Sequence, residues 1–299
     1  MSNQQKNQDC VASQADLDGL LEDTNIWKAR IILTAVDLDL FTLLSQSGKT
    51  VVELARLTGA ETDRLERLMQ ALIELGYAKR NDDQTFGNTP VSNTFLDQHS
   101  CHYIGSWIRL QSLEWSMWGS LTETIMGKSK QDTRSVFEDE ERLTTLVLAA
   151  HQRALLAHVE EVVADVELSA CRTLLDVGSG AGTFALAFAH RWPHLVCSLL
   201  DKPLVIKIAQ EIIRAHDLQS RFRFLPADYR KDDFGGPYDA CFISNVLHGE
   251  SEADMKDLIA KCSLHLSPGG QFMVRDNFLD DDGTSSAYGA TFGLAMMLE

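Results

Sequence analysis

The sequence predicts an α/β protein in which a mostly helical N-terminal region precedes a doubly wound parallel sheet. Over most of residues 24–166, apolar side chains recur at helical spacing, interrupted by one short hairpin pattern. From Thr173 onward, short apolar runs alternate with helical patterns, as in parallel strands joined by helices. The first of these runs leads into a glycine turn, Asp176-Val177-Gly178-Ser179-Gly180-Ala181-Gly182, which is typical of a strand that feeds a helix beside a ligand.

Length and composition restrict the class of protein. At 299 residues, the chain is long enough for two domains and a large core. Its six cysteines are scattered without C-x-x-C pairing, so we expect neither a metal site nor a disulfide framework. No apolar run approaches the roughly 20 residues that span a bilayer, and the polar start lacks the apolar stretch of a signal peptide. We therefore expect a cytoplasmic protein with no membrane partner.

The N-terminal region divides into a tail and a winged-helix pattern. Residues 1–14 are polar, and we expect them to be disordered. Residues 15–100 show three helical segments and a hairpin: Thr24 to Leu44, Thr50 to Gly59, Thr62 to Gly76, then Tyr77 to Arg80 paired with Thr85 to Gly87. The second segment opens with a capping box, Thr50-Val51-Val52-Glu53, and Thr62 is the expected cap of the third. Three helices followed by a hairpin predict a winged helix.

A winged helix can bind DNA, or it can serve as a structural or dimerising module. The formal net charge of −16 repels phosphate backbones, and residues 1–100 hold 9 basic against 15 acidic side chains. The candidate recognition helix mixes acidic and basic side chains between Asp63 and Arg67, whereas a helix that reads a groove presents a basic face. We therefore expect a dimerising module and no nucleic acid partner.

Residues 101–170 are expected to form a helical linker that carries several aromatic side chains. Those between residues 101 and 127 are Tyr103, Trp107, Trp115 and Trp118. They can either pack between domains or roof a pocket for a flat aromatic ligand, and the sequence leaves both interpretations open. After a polar break, one long helix is predicted from about Asp139 to Val166.

The glycine turn predicts a nucleotide-like ligand for the last domain, residues 171–299. A dinucleotide fingerprint needs glycine at its first, third and sixth positions, but counting from Gly178 the sixth position is Thr183. An acid two places before a G-x-G-x-G run instead resembles the cofactor loop of class I S-adenosylmethionine (SAM) methyltransferases. In that loop the acid, here Asp176, orders the backbone around the amino-acid end of the cofactor. The helix beginning near Thr183 adds unpaired N–H groups and a positive dipole end.

Polar residues follow the other predicted strands, where ligands of a parallel sheet lie. The strand over residues 195–200 ends at Asp201, which can accept hydrogen bonds from both hydroxyls of a ribose or can simply cap a helix. The strand over residues 222–225 leads to Asp228 and Tyr229. Asp228 can accept a hydrogen bond from the adenine amino group while Tyr229 covers the ring, or it can be a plain turn acid.

The fourth and fifth predicted strands lead to further polar residues. The fourth strand, over residues 239–246, contains Ser244 and is followed by His248. The fifth, over residues 271–274, follows the predicted turn Ser267-Pro268-Gly269-Gly270 and leads to Asp276. Because a phenol titrates near 10, its oxygen needs a base at neutral pH, and a histidine with a pKa of about 6.5 suits that task. His248 can be such a base, or it can cap a helix.

These motifs together resemble the metal-independent small-molecule O-methyltransferases. That family contains plant caffeic-acid-type enzymes, acetylserotonin methyltransferase and many bacterial enzymes of secondary metabolism. The resemblance runs from about residue 20 to the end of the chain. It implies a winged-helix dimerisation domain, hence a homodimer, followed by a Rossmann-like SAM-binding domain. It also implies methyl transfer from SAM to a hydroxyl of a small aromatic substrate, which leaves S-adenosylhomocysteine (SAH).

The resemblance also assigns roles to individual residues. Those implied for cofactor binding are Asp176, Gly178 and Gly180 in the loop, Asp201 at the ribose, Asp228 and Tyr229 at the adenine, and Ser244, where family members often carry Lys or Arg. His248 falls on the catalytic histidine of the family's Leu/Cys-His-Asp-Trp segment, although Gly249 and Glu250 follow it here. Asp276 lies near the position at which plant members carry a glutamate, longer by one methylene, that orients the histidine.

The end of the sequence leads to one further expectation, and two alternative functions stay open. The sequence stops within a predicted helix over residues 287–298, so we expect the family's last two strands, one of them antiparallel, to be missing. The pair Gly249-Glu250 keeps open a SAM-binding relative with other chemistry, such as N-methylation, decarboxylation or hydroxylation. A non-catalytic winged-helix regulator is a third hypothesis, which the acidic charge disfavours.

Overall fold

The computed structural model describes residues 13–128, 139–278 and 287–298. The chain forms two compact units that divide between Cys101 and His102. The predicted N-terminal tail lies almost wholly outside the described residues. None of the helices within the described ranges combines the length and the apolar composition that a bilayer-spanning segment requires.

The first unit is built from helices and one hairpin. Its elements are α1 (Gln14–Asp23), α2 (Ile26–Asp37), α3 (Leu40–Ser45), α4 (Val51–Thr58), α5 (Thr62–Glu74), β1 (Ala78–Arg80), β2 (Phe86–Asn88) and α6 (Pro90–Phe95). Strands β1 and β2 pair antiparallel, as the sequence predicts. Helix α1 was not predicted, and it begins at a capping box in which the Ser13 hydroxyl and the Asp16 carboxylate satisfy each other's backbone N–H groups.

The predicted helix from Thr24 to Leu44 is instead two helices, α2 and α3. The break lies at Asp39, whose φ of +57° is left-handed and interrupts the helical hydrogen bonds. The turn directs Leu40 and Phe41 into the core, where both are fully buried. A smaller correction concerns α5, whose N-cap is Glu61 rather than Thr62.

The surface of the first unit has two features that bear on partners. The basic side chains of the predicted recognition helix and the hairpin are partly neutralised, since Arg64 pairs with Glu61 and Arg80 pairs with Glu66. Helices α1 and α2 expose several large apolar side chains: Leu17, Leu20, Leu21, Ile26 and Trp27. Trp27 is 78% exposed, which is unusual for a residue of this size.

The second unit begins with helices and continues as an alternation of strands and helices. Its elements are α7 (Gly105–Leu113), α8 (Trp115–Gly119), α9 (Leu121–Ile125), α10 (Glu140–Ala157), α11 (Val159–Asp165), β3 (Thr173–Val177), α12 (Thr183–Arg191), β4 (Val196–Asp201), α13 (Pro203–Ala215), β5 (Phe222–Pro226), β6 (Tyr238–Ser244), α14 (Glu252–Leu264), β7 (Leu266–Arg275) and α15 (Ala287–Leu298). The long helix predicted from Asp139 to Val166 is divided at His158, whose backbone leaves the helical conformation.

The described strands of the second unit form a five-stranded parallel sheet in the order β5-β4-β3-β6-β7. Successive strands run outward from β3 on one side and then from β6 on the other, so the predicted doubly wound α/β fold is confirmed. Helices α12 and α13 pack on one face around Phe188 and Phe242, and α14 packs on the other around Leu258. The order of strands reverses between β3 and β6, where such sheets bind their ligands.

Strand β7 is longer than the sequence predicts. Its pairing with β6 advances from Leu266 to Gln271 while β6 advances only from Tyr238 to Ala240. The predicted turn Ser267-Pro268-Gly269-Gly270 is therefore an irregularity inside the strand, and Gly269 there has a left-handed φ of +80°. The bulge restores the register, so that Arg275 lies opposite Ser244 at the end of the sheet.

Candidate active site

The predicted site residues lie at one edge of the parallel sheet, because each follows or ends a strand that runs toward that edge. Asp176 is in β3, Asp201 ends β4 and Ser244 ends β6. The remaining members lie in the segments that follow β3, β5, β6 and β7: Gly178, Gly180, Asp228, Tyr229, His248 and Asp276. Hydrogen bonds link neighbours along the edge, for example from Gly180 N–H to Asp201 Oδ2 at 2.8 Å.

The glycine turn needs its glycines for two different reasons. Gly178 and Gly180 have left-handed φ angles of +66° and +54°. A Cβ on Gly178 would lie 2.4 Å from Val246 Cγ2, so this glycine lets the turn pack against the segment that leads to His248. A Cβ on Gly180 would meet nothing within 4 Å. The turn therefore packs against Val246 at Gly178 and leaves open space beside Gly180, where a ligand can approach the backbone.

Two neighbouring carboxyl groups, Asp176 and Asp201, control the charge beside the glycine turn. Burial, together with the charge of Asp201, raises the pKa of Asp176 to about 8. Burial also raises the pKa of Asp201 to about 6, although hydrogen bonds from the N–H groups of Gly180 and Lys202 oppose this shift. The raised values mean that negative charge is poorly compensated at this position. A ligand that carries positive charge would be favoured there.

His248 and Asp276 form a hydrogen-bonded pair after β6 and β7. The ring Nδ1 of His248 lies 2.6 Å from Asp276 Oδ1, and Asp276 is almost fully buried. Asp276 Oδ2 also accepts the backbone N–H groups of Leu247 and His248, at 3.0 and 3.3 Å. Burial alone would raise the pKa of Asp276, but the hydrogen bonds from His248 and Asn277 outweigh burial and hold the pKa below its usual range. The carboxylate thus fixes both the ring and the backbone that carries it.

Asp228 and Tyr229 form the turn after β5. The Asp228 carboxylate accepts the N–H of Arg230 at 3.0 Å, which holds the pKa of this acid below its usual range. The Tyr229 hydroxyl donates to Glu250 Oε1 at 2.6 Å. Burial and that hydrogen bond raise the pKa of the phenol. The turn is therefore held by hydrogen bonds, one of which comes from the segment just after His248.

Two side chains that the sequence analysis did not select also lie at this edge. The guanidinium of Arg275 is 3.4 Å from Ser244 Oγ and 5.4 Å from the centre of the Phe184 ring. The positive charge of Arg275, on β7, therefore lies beside Ser244 on β6, the position at which family members often carry Lys or Arg. The sequence could have indicated Arg275 as a site residue, because it directly precedes Asp276 at the end of a predicted strand.

His151 is the second such residue. It reaches from α10 to the start of α12, where its Nδ1 lies 2.8 Å from Thr183 Oγ1. Burial lowers the pKa of His151 to about 4, so the ring is neutral near pH 7. A neutral histidine preserves the positive dipole end of α12 without adding a competing charge. No local pattern in the sequence indicates this contact, because 32 residues separate the partners.

Profiles of known families match both units of the chain. Residues 121–299 match the O-methyltransferase domain. The chain belongs to the O-methyltransferase family. Residues 24–98 match the O-methyltransferase dimerisation domain, so the first unit of this methyltransferase carries a dimerisation module. The resemblance stated from the motifs is thereby confirmed.

Individual relatives agree with this assignment. The methyltransferase is 25% identical over 281 residues to 3-hydroxy-5-methyl-1-naphthoate 3-O-methyltransferase of Streptomyces sahachiroi, covering 92% of this chain and 81% of the relative. It is also 25% identical to the N,N-dimethyltransferase OxyT of Streptomyces rimosus, covering 92% and 82%. The crystal structure of human N-acetylserotonin methyltransferase with SAM has the same fold, with a TM-score of 0.81, 19% identity and coverage of 96% and 86%.

The chain is thus a SAM-dependent methyltransferase, and its residues fit that cofactor. Ser179 Oγ is buried in the glycine turn without a hydrogen-bond partner among the described residues, which leaves a polar atom for a ligand. The open side of Gly180 admits a ligand close to the backbone. The poorly compensated carboxyl groups of Asp176 and Asp201 suit a cofactor that carries both a sulfonium and an ammonium group.

Proposed function

We propose that this enzyme transfers the methyl group of SAM to a hydroxyl of a small aromatic metabolite, with His248 as the general base. The observation that carries the proposal is the contact of 2.6 Å between His248 Nδ1 and Asp276 Oδ1. When Nδ1 carries the proton and donates a hydrogen bond to the carboxylate, the Nε2 lone pair is available to take a proton from the acceptor. The carboxylate then stabilises the imidazolium that forms.

The aromatic character of the acceptor is supported by two observations. The ring of Phe292 on α15 packs edge-on against His248, with 4.8 Å between the ring centres, which provides an apolar wall beside the base. The naphthoate methyltransferase of Streptomyces sahachiroi acts, by its name, on a hydroxylated aromatic acid. We therefore propose a flat hydroxylated aromatic compound of secondary metabolism as the substrate.

The residues at this edge of the sheet other than His248 and Asp276 have proposed tasks in holding the cofactor. When bound, SAM supplies an electrophilic methyl group on its sulfonium sulfur. Asp176 and the backbone of Gly178 and Gly180 would hold its amino-acid end, Asp201 the ribose, and Asp228 with Tyr229 the adenine. Ser244, with Arg275 beside it, would supply a further polar contact. The protein otherwise acts by holding the acceptor oxygen in line with the bond that breaks, which accounts for much of the rate in such displacements.

The exposed apolar side chains of α1 and α2 support a homodimer. They lie within or next to the segment that matches the dimerisation domain. A second copy of the chain would remove them from water, and the acidic composition disfavours nucleic acid as the alternative.

A labelled-methyl assay tests the proposed reaction. Purified protein is incubated with methyl-labelled SAM and a panel of naphthols, hydroxynaphthoates and other phenols, alongside aromatic amines of similar shape. We expect transfer to oxygen and a loss of 100-fold or more in kcat for His248→Ala, since general bases contribute about 10²- to 10⁴-fold. The dissociation constant for SAH should not change, because His248 is not among the residues proposed to hold the cofactor. His194, an exposed histidine of the same unit, provides the control variant His194→Ala.

N-methylation is the second candidate, because OxyT is by its name an N,N-dimethyltransferase. A neutral amine has a free lone pair and can attack before it loses a proton, so it depends less on a base. Transfer to the amines alone, with His248→Ala retaining the wild-type rate, would overturn the O-methyl assignment and support this alternative.

A further inference from the structure

Glu250 lies directly after the short 3-10 turn Leu247–Gly249 that carries His248. Its side chain is only 2% exposed, although it is an acid on a segment between a strand and a helix. Its Oε1 accepts two hydrogen bonds, from the Tyr229 hydroxyl at 2.6 Å and from Arg230 at 2.7 Å. Oε2 is buried and has no partner among the residues that the structure describes. A buried acid at this place is costly and needs a reason.

The ion pair with Arg230 does not by itself provide that reason. The Arg230 side chain is 57% exposed, and pairs with such exposed partners contribute little to stability. The buried contact of Glu250 is instead with the phenol of Tyr229. A phenol that donates to a carboxylate forms a short, strong hydrogen bond. This bond fixes where the hydroxyl end of the Tyr229 side chain lies, while the ring also packs against the apolar cluster that contains Leu247.

Tyr229 is consequently held at both of its ends. Its backbone carbonyl accepts a hydrogen bond from Lys261 on α14 at 2.9 Å, and its hydroxyl is held by Glu250. The segment between β6 and α14 is also held twice. Asp276 accepts the N–H groups of Leu247 and His248, and Glu250 fastens the other end of the segment to Tyr229. The turn after β5 and the segment with His248 are therefore joined by the buried hydrogen bond from Tyr229 to Glu250 and by the more exposed ion pair from Arg230.

We propose that Glu250 is a positioning residue that holds the Tyr229 ring as a wall for the adenine and links that wall to the segment carrying His248. The inference rests on the proposed function, because it deepens the adenine role given to Tyr229. Since the hydroxyl of Tyr229 donates to Glu250, the partly exposed ring is what remains of this side chain for a ligand to contact. Adenosine-containing ligands then bind to a preorganised surface and lose less conformational entropy in Tyr229 on binding.

A double-mutant cycle with volume-conserving changes tests the link. The variants are Tyr229→Phe, Glu250→Met, which has a similar length and no oxygen to accept the bond, and the double variant, with Arg230→Gln as a control that alters the exposed partner of the same acid. Titration calorimetry measures SAH and adenosine alone, thermal unfolding measures folding, and initial rates separate kcat from the KM of each substrate. We expect each single variant to weaken SAH and adenosine by about 3- to 10-fold, the effect of one hydrogen bond. The double variant should bind no more weakly than the worse single variant.

The kinetic constants distinguish positioning from a general structural role. The KM for SAM should rise in both single variants while the KM for the acceptor stays within twofold, and Arg230→Gln should bind SAH within twofold of the wild type. Wild-type affinity in Tyr229→Phe and Glu250→Met, or losses that simply multiply in the double variant, would overturn the inference. If the wild type itself fails to bind SAH, the proposed function fails instead, so the two failures are distinguishable.

Discussion

Asp176 is buried in strand β3 beside a second carboxyl group, Asp201, and its pKa is raised to about 8, mainly by burial. An aspartate in an unfolded chain titrates near 3.9. Between about pH 4 and pH 8, the folded protein therefore keeps a proton that the unfolded chain has lost. The free energy of unfolding must then fall as the pH rises through this interval. Asp201, whose pKa is also raised, acts in the same direction at lower pH.

Replacing Asp176 by Asn should remove most of this pH dependence. We expect Asp176→Asn to unfold at nearly the wild-type temperature at pH 4.5 and about 5 °C higher at pH 8, since unfolding temperatures shift by a few degrees per kcal/mol. The same variant should bind SAM more weakly. Thermal unfolding across pH values and calorimetric titration measure the two effects.

Asp239 offers a control with the opposite sign. Hydrogen bonds from the N–H groups of Arg172 and Thr173 hold its pKa below the usual range. Asp239→Asn should therefore lose stability above about pH 4 and change SAM affinity little, because Asp239 is the second residue of β6, at the opposite end of the strand from Ser244. A stability gain at pH 8 that appears equally in both variants would contradict the burial argument for Asp176.

At the scale of elements, the glycine turn after β3 and the segment after β6 form one packed unit. Gly178 lies against Val246, so no side chain fits between the two segments. The neighbouring Asn245 has a left-handed φ of +54°, and its N–H donates to the carbonyl of Arg275 at 2.8 Å. The position of His248 therefore depends on the packing of Val246 against the glycine turn and on the backbone hydrogen bond to β7, as well as on its own side chain.

Alanine substitutions in the glycine turn should distinguish backbone strain at a left-handed φ from collision of the added Cβ with a neighbouring side chain. Gly180→Ala adds only the left-handed strain of about 1–2 kcal/mol, because its Cβ meets nothing. Gly178→Ala adds the same strain and a collision with Val246, so it should lower the unfolding temperature further and reduce kcat. Adding Val246→Ala to Gly178→Ala should restore part of both losses. If the double variant is no better than Gly178→Ala, the packing argument is wrong.

The sequence predicts elements whose pattern is local and misses contacts that join distant segments. The strand ends, the glycine turn and the hairpin are local patterns, and all were predicted within a few residues. The break at Asp39 was missed because the apolar spacing continues through it, and only a left-handed residue divides the helix. The sequence predicts a turn at Ser267-Pro268-Gly269-Gly270. In the structure these residues form a bulge inside β7, because the strand pairs with β6 on both sides of them.

In the candidate site too, the sequence predicts where residues lie along the strands and misses the contacts between distant segments. The placement of His248 and Asp276 followed from the rule that parallel strands end at one edge of the sheet. The distance of 2.6 Å between His248 Nδ1 and Asp276 Oδ1 depends on the register of β7 after its bulge. The sequence does not indicate that register. Glu250 was noticed only as a departure from the family pattern, because its partner Tyr229 lies 21 residues away.

At the scale of the whole molecule, the two units expose different surfaces. The first unit exposes apolar side chains on α1 and α2, and its match to a dimerisation domain supports their burial in a homodimer. The formal net charge of −16 opposes association of two copies, so we expect apolar contact to supply the free energy of pairing.

Charged substitutions on α1 and α2 should dissociate the dimer. We expect the wild type to sediment as a dimer and the double variant Leu20→Asp, Trp27→Asp to sediment as a monomer at micromolar concentration, because a buried unpaired charge opposes association. Leu264 is 83% exposed in the second unit and gives the control Leu264→Asp, which should remain dimeric. Equal masses for the wild type and the double variant would show that another surface pairs the subunits.

The carboxyl pair Asp176 and Asp201 has a consequence for turnover. Methyl transfer converts a positively charged sulfonium into a neutral thioether, so the cofactor loses one unit of charge while the acids beside it remain. If the two acids hold the cofactor as proposed, their electrostatic attraction is weaker for SAH than for SAM. SAH should then gain less affinity than SAM from these acids, which titration of both molecules into the wild type and Asp176→Asn measures.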